Sequence, residues 1–192
     1  MATMKFLAKT EAFSFSEAFS TAAKVTRSEV FGTDNDRWLP INNQDDAKLP
    51  FLGYVGANFR PGGIILMAIN PGGGTDKYIR TKEDEHLCPK LKRLKSSTSK
   101  TAEIAVSRLF QSYIEIVPTW NLFRIINPVL EATNSDLSSI ALLNLVPFRT
   151  RGDSKPIVRA LNYSWHNIIC PLLPGLKPSK IIALGIKCGR CS

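Results

Sequence analysis

Three short apolar runs constrain the fold of this chain more than any other feature. They read IILMAI (64–69), IALLNLV (140–146) and IIALG, within SKIIALG (179–185). The first does not alternate apolar with polar residues, a pattern typical of a strand buried on both faces of a parallel sheet. We expect the second to be a buried strand as well and the third to be a short strand. Because helical patterns separate the runs, we predict a three-layer α/β/α sandwich with a mainly parallel sheet.

The segments between these runs carry helical or loop signals. Apolar residues recur at helical spacing in four segments, residues 15–23, 101–117, 119–133 and 156–173. Residues 31–61 are rich in Gly, Pro, Asn and Asp, which favours mostly loop. The polar, basic segment 77–100 ends in LKRLKSSTSK, for which we expect a mobile surface loop.

The charge balance of the 192 residues favours an anionic partner. Lys and Arg number 25 and Asp and Glu 16, which gives a formal net charge of +9. Nucleic acid is the commonest anionic partner of such a protein, and the plainer alternative is solubility alone. No apolar run approaches the roughly 20 residues that span a bilayer. Lys9 and Glu11 interrupt the N-terminal segment, so we expect no secretory signal and a cytoplasmic location.

The cysteines do not complete a metal site. Cys188 and Cys191 form a C-x-x-C pair, which supplies half of a zinc site. No second such pair and no H-x-x-x-H follows, and Cys88 and Cys170 would have to converge in space. We therefore expect free thiols and no metal or other cofactor.

A glycine-rich loop follows the first apolar run, in AINPGGGTD (68–76). The loop lacks G-x-x-x-x-G-K-[ST] and is therefore not a P-loop. It is not a dinucleotide fingerprint either, because Lys77 occupies the third glycine position. A tight turn without a ligand is the structural alternative. Both this loop and NLVPFRTRGD (144–153) follow predicted strands, and the carboxyl ends of parallel strands are where α/β sheets bind ligands.

Three segments in order resemble parts of the uracil-DNA glycosylase superfamily. AINPGG is similar to the first active-site motif of its mismatch-specific branch, G-I-N-P-G, with Ala68 in place of the first glycine. ALLNLVPFRTR resembles the second strand, which reads L-L-N, and KIIALG resembles the next. The combined pattern over about residues 50–187 looks like a bacterial uracil-DNA-glycosylase-like subgroup.

The family's later motif, usually H-P-S, does not occur before the chain ends at Ser192. We therefore expect residues 1–192 to form a single uracil-DNA-glycosylase-like domain that is incomplete at its C-terminal end.

The resemblance implies base excision repair, in which the N-glycosidic bond of uracil or a related damaged base in DNA is hydrolysed. Asn70 matches the motif residue that orients the attacking water. Ile69, Pro71 and Gly72 match the loop whose backbone faces the base. Asn144 matches the residue that reads uracil, because an amide suits its O4 and N3–H edge and not that of cytosine.

Each assignment has a structural alternative. An Asn at position 70 could brace a turn, and Asn144 could satisfy backbone groups at a strand end. Lys77, Arg149 and Arg151 could contact DNA phosphates or lie in solvated loops.

Two aromatic residues have a functional and a structural interpretation. Tyr78 or Phe148 could stack on the base, although each could be core packing.

At the level of the whole chain, the alternatives are a catalytically inactive member that binds nucleic acid through a basic surface and a binder of a small ligand.

Overall fold

A computed structural model describes residues 15–34, 45–72, 77 and 79–184 of the chain. The chain is of mixed α/β class. Its elements in chain order are α1 (Phe15–Ala22), α2 (Arg27–Phe31), β1 (Gly53–Val55), β2 (Ile64–Ala68), α3 (Lys82–Lys95), α4 (Ser99–Ile116), α5 (Phe123–Ala132), β3 (Ala141–Asn144), α6 (Val158–Ser164), α7 (Leu173–Leu176) and β4 (Lys180–Leu184).

The four described strands form one sheet in the order β1-β3-β2-β4. β2 pairs in parallel with β3 on one side and with β4 on the other, whereas β1 runs antiparallel to β3. The three apolar runs are thus confirmed as strands. Ala68 lies opposite Asn144 in the register, so the two motif segments leave the sheet side by side.

The sheet interior explains the absence of alternation in the two central strands. Ile65 and Leu66 are fully buried in β2, and Ala141 and Leu143 are fully buried in β3, because neighbours cover both faces there. α4 packs against α1, α3 and β1 and buries Leu109 and Tyr113. No helix in the described part of the chain is both long enough and apolar enough to cross a membrane.

Strand β1 lies within the segment that we predicted to be mostly loop. Its first residue, Gly53, has a positive φ of 103°, and a Cβ atom there would lie 2.0 Å from the carbonyl oxygen of Leu142. Only glycine fits this close approach of β1 to β3.

Helix α3 corrects the prediction of a mobile loop at the end of the basic segment. Thr81 caps its N-terminus, accepting a hydrogen bond from the Asp84 amide at 3.3 Å, while the Thr81 amide donates to the Asp84 carboxylate at 3.1 Å. Acidic residues occupy its first turn and basic residues its last, which favours the helix dipole. Leu87, Leu91 and Leu94 bury one face against the core.

The remaining helical segments agree with the prediction, with one difference in detail. Segments 101–117 and 119–133 correspond to α4 and α5, and α5 contains Pro128. Segment 156–173 is not one continuous α-helix. After α6 it passes through a π-helical turn, Trp165–Ile169, and a 3₁₀ turn before α7.

Candidate active site

A cavity of about 410 Å³ opens at the carboxyl ends of β2 and β3. β2 is the strand at which the chain order reverses, because β3 lies on one side of it and β4 on the other. Such a switch point leaves a crevice between the diverging connections, which is where α/β sheets bind ligands. The volume lies within the range of about 300–1,000 Å³ that is usual for small-molecule sites.

Asn70, which the resemblance identifies as the residue that orients the attacking water, lines this cavity. Its Nδ2 donates to Thr150 Oγ1 at 3.2 Å, and Thr150 Oγ1 donates in turn to the carbonyl oxygen of Ser154. Because the single hydroxyl proton of Thr150 points at Ser154, Thr150 can only accept from Asn70. This relay fixes the orientation of the Asn70 amide and leaves its Oδ1 as the acceptor.

Asn144 lines the same cavity from the end of β3. Its Nδ2 donates to the carbonyl oxygen of Phe51 at 2.7 Å, and its backbone amide donates to Leu52 at 2.9 Å. A reversed side-chain amide would place two oxygen atoms against each other, so the orientation is fixed. The side chain keeps one N–H donor and one oxygen acceptor for another partner.

Aromatic side chains form much of the cavity wall. Phe51, Tyr113 and Trp120 all line it, and the Tyr113 and Trp120 rings meet edge to face with centroids 6.1 Å apart. The backbone amide of Phe51 donates to Pro147 at 2.6 Å. The sequence analysis did not place any of these three residues at the site, because their positions depend on contacts between distant segments.

Arg149 is not the exposed phosphate contact of the sequence prediction. The residue is only 7% exposed and forms a two-pronged ion pair with Asp84, with Nη1–Oδ2 at 2.9 Å and Nη2–Oδ1 at 2.7 Å. Its guanidinium lies 4.7 Å from the centroid of the Phe51 ring. Arg149 therefore lies in the wall of the cavity, where it holds Phe51 against the end of the sheet.

The other predicted residues fall into two groups. Pro71 and Gly72 line the cavity, and a Cβ atom on Gly72 would meet nothing within 4 Å, so open space lies over this part of the loop. Ile69 is not among the described lining residues, although its carbonyl accepts from the Val146 amide at 2.8 Å. Lys77 is exposed, Arg151 is half-buried, and neither is among those lining residues.

Of the two aromatic residues considered for stacking, the structure describes Phe148. Phe148 is fully buried, with the Arg27 guanidinium 5.4 Å from its ring centroid, so it packs in the core, as the structural alternative for this residue states. Tyr78 lies outside the described residues.

Ionisable groups near the cavity differ in what they can do. Burial raises the pKa of the Tyr113 hydroxyl, so this group stays neutral. Burial, reinforced by the neighbouring Asp84, also raises the pKa of the Cys88 thiol, to about 12. Within the described ranges no three His, Cys, Asp or Glu side chains are grouped to hold a metal ion, and Cys188 and Cys191 lie outside those ranges.

Comparisons of the chain with protein-family models, with curated proteins and with solved structures find no match.

Proposed function

We propose that this chain is a DNA glycosylase that hydrolyses the N-glycosidic bond of uracil or a related damaged base in DNA, built on the three-layer α/β/α fold of the uracil-DNA glycosylase superfamily. One observation carries the proposal. Asn70 and Asn144, the two amides of the motif resemblance, line one cavity, and each is held in a single orientation.

The fixed amide of Asn144 suits uracil. Its Oδ1 accepts from the N3–H of uracil, and the Nδ2 proton not used by Phe51 donates to O4. Cytosine presents an acceptor at N3 and a donor at N4, so it would meet like groups at both positions. Leaving buried polar groups unpaired in this way is the strongest basis for rejecting a near-isosteric ligand.

The fixed amide of Asn70 suits an attacking water. Its Oδ1 accepts a hydrogen bond from the water and so turns an oxygen lone pair of the water toward C1′ of the deoxyribose, since the bond from Nδ2 to Thr150 fixes the orientation of the amide. Positioning of this kind lowers the barrier by holding the reactants in a productive geometry.

The cavity wall and the charge of the chain support a nucleic acid substrate. A base that has left the duplex is commonly bound by stacking on aromatic side chains, and Phe51 and Trp120 are aromatic residues that line this cavity. The net charge of +9 favours DNA as the partner, with Lys77 and Arg151 as the remaining candidates for phosphate contacts.

The test is release of free uracil from single-stranded DNA and from G·U duplexes under single-turnover conditions. We expect release by the wild type and a rate lower by about 10²–10³-fold in Asn70→Ala, the usual effect of removing one preorganised group. Asn167→Ala is the matched control, because Asn167 is exposed, is not among the described lining residues, and donates to Tyr163 O at 2.9 Å within its own helical segment.

Base release that is equal in Asn70→Ala and in wild type would contradict the assigned role. No release by a folded wild-type protein would leave the second candidate, an inactive member that binds nucleic acid through its basic surface. The net charge of +9 favours that alternative, and a steep fall of DNA affinity with salt would support it.

A further inference from the structure

Hydrolysis of a glycosidic bond is accelerated by a group that takes a proton from the attacking water. The amide of Asn70 can orient that water, but it has no site that accepts a proton near neutral pH. The following inference rests on the proposed function and asks which side chain supplies this base.

The described lining of the cavity contains few ionisable side chains, namely Glu83, Tyr113 and Arg149. Arg149 carries no basic lone pair and is paired with Asp84. Tyr113 keeps its proton, because burial disfavours its charged form. His86 lies apart from this lining and contacts Glu115 at 3.2 Å. Among the described lining residues, elimination leaves the carboxylate of Glu83.

The position of Glu83 in α3 leaves its carboxylate available. Helices of this kind often use an early acidic residue to close the N-terminal cap, but here Asp84 performs that role with Thr81 and also binds Arg149. Glu83 stands one residue earlier, in the same first turn, and is half-buried at the cavity wall. Asp84 thus lies in the core, whereas the adjacent Glu83 lies at the wall of the cavity.

We propose that Glu83 is the general base of the reaction. Its carboxylate accepts a proton from the water that Asn70 orients, while the water oxygen forms a bond to C1′ of the deoxyribose. The bond from C1′ to N1 of the base breaks, and its electron pair leaves with uracil as an anion. The proton held by Glu83 then returns to solvent.

The first experiment compares Glu83→Gln with wild type in single-turnover base release. We expect a loss of about 10²–10⁴-fold in rate, the usual contribution of a general base, with little change in the Kd for a non-hydrolysable uracil-containing strand. Glu85→Gln is the matched control, because Glu85 is an exposed acidic residue of the same turn and is not among the described lining residues.

Chemical rescue separates a base from a structural residue. In Glu83→Ala the space left by the side chain admits a small anion, so we expect added formate or azide to raise the rate in a saturable manner. The same anions should leave the rate of Asn70→Ala unchanged, because that variant lacks the positioning group and keeps the base.

The outcomes distinguish this inference from the function on which it rests. Wild-type release that persists at a similar rate in Glu83→Gln overturns the role of Glu83 and leaves the glycosylase proposal intact. A rate loss in Glu83→Ala without rescue by either anion also overturns it. A folded wild type that releases no base overturns the glycosylase proposal and this inference together.

Discussion

The buried ion pair between Asp84 and Arg149 yields the sharpest stability prediction for this protein. Asp84 is fully buried and Arg149 is 7% exposed, so solvent screens the pair very little. In Asp84→Asn the guanidinium remains in the interior without its counter-charge. Breaking a buried pair from one side destabilises a protein by about 3–5 kcal/mol, because an uncompensated charge stays buried.

For a chain of 192 residues this loss of stability corresponds to a large decrease in Tm. Each kcal/mol lowers Tm by about 2–4 °C in proteins of this size, so we expect a drop of roughly 6–20 °C. The assay is equilibrium urea denaturation at pH 7 followed by circular dichroism, with an unchanged m-value as the sign that the transition itself is the same.

Two further variants test the reasoning behind this number. Asp45→Asn makes the same chemical change in an exposed pair, with Lys48 Nζ 3.7 Å from Asp45 Oδ1 and the Asp45 side chain 88% exposed. It should lower the free energy of unfolding by less than about 1 kcal/mol. Asp84→Leu combined with Arg149→Met should recover much of the stability lost in the single variant, because apolar replacement of both partners removes the buried charge.

A loss of under about 1 kcal/mol in Asp84→Asn would refute the argument, since it would mean that solvent or another carboxylate compensates Arg149. A double variant less stable than Asp84→Asn would refute it as well.

Three other predictions concern separate parts of the molecule. Gly53→Ala should lower the free energy of unfolding by several kcal/mol, because a Cβ at this position would lie 2.0 Å from Leu142 O. Gly62 also has a positive φ, but a Cβ there would meet nothing within 4 Å. Gly62→Ala should therefore lower the free energy of unfolding by only about 1–2 kcal/mol, as measured by urea denaturation. Hydrogen bonds from Ser138 and Ser139 lower the pKa of the Asp136 carboxyl, so its stabilising effect is present near neutral pH and lost as pH falls through that lowered pKa. Asp136→Asn should therefore be less stable than wild type near pH 7, and the difference should shrink as the pH falls through the lowered pKa of Asp136; a difference independent of pH would contradict this. With the other three cysteines replaced by serine, Cys88 should react with a disulfide reagent only as fast as the protein unfolds, because the thiol is 1% exposed and its pKa is raised to about 12; rapid reaction in the absence of urea would contradict it.

The central strands could be predicted from the sequence because their signal is local. Most residues of IILMAI and of IALL (140–143) are buried, because both faces of these strands are covered, and that condition appears directly as a run without polar residues. Asn70 directly follows the first of these runs and Asn144 the second, so the sequence placed both amides at strand ends.

Strand β1 could not be predicted, because three residues among glycines and prolines carry no period of their own. Gly53–Val55 is a strand only through its antiparallel pairing with β3, about ninety residues later. The burial of Arg149 could not be predicted for a similar reason. Its partner Asp84 lies 65 residues away, and nothing in the turn around Arg149 shows that a buried carboxylate faces it.

Helix α3 is a different case, because its signals were present in the sequence. Thr81 and Asp84 have capping-box spacing, and Leu87, Leu91 and Leu94 recur at helical intervals. The many Lys residues and Pro89 concealed this pattern, and with it Glu83.

The relay from Asn70 through Thr150 to Ser154 bears on how far the site could be transplanted. The glycine loop supplies Asn70, but the orientation of its amide is set by the segment after β3. Asn144 in turn depends on the Phe51 carbonyl, which precedes β1. A designer who grafted the loop alone onto another α/β scaffold would therefore obtain an amide free to rotate. The smallest portable unit is the end of the sheet itself, with all three segments.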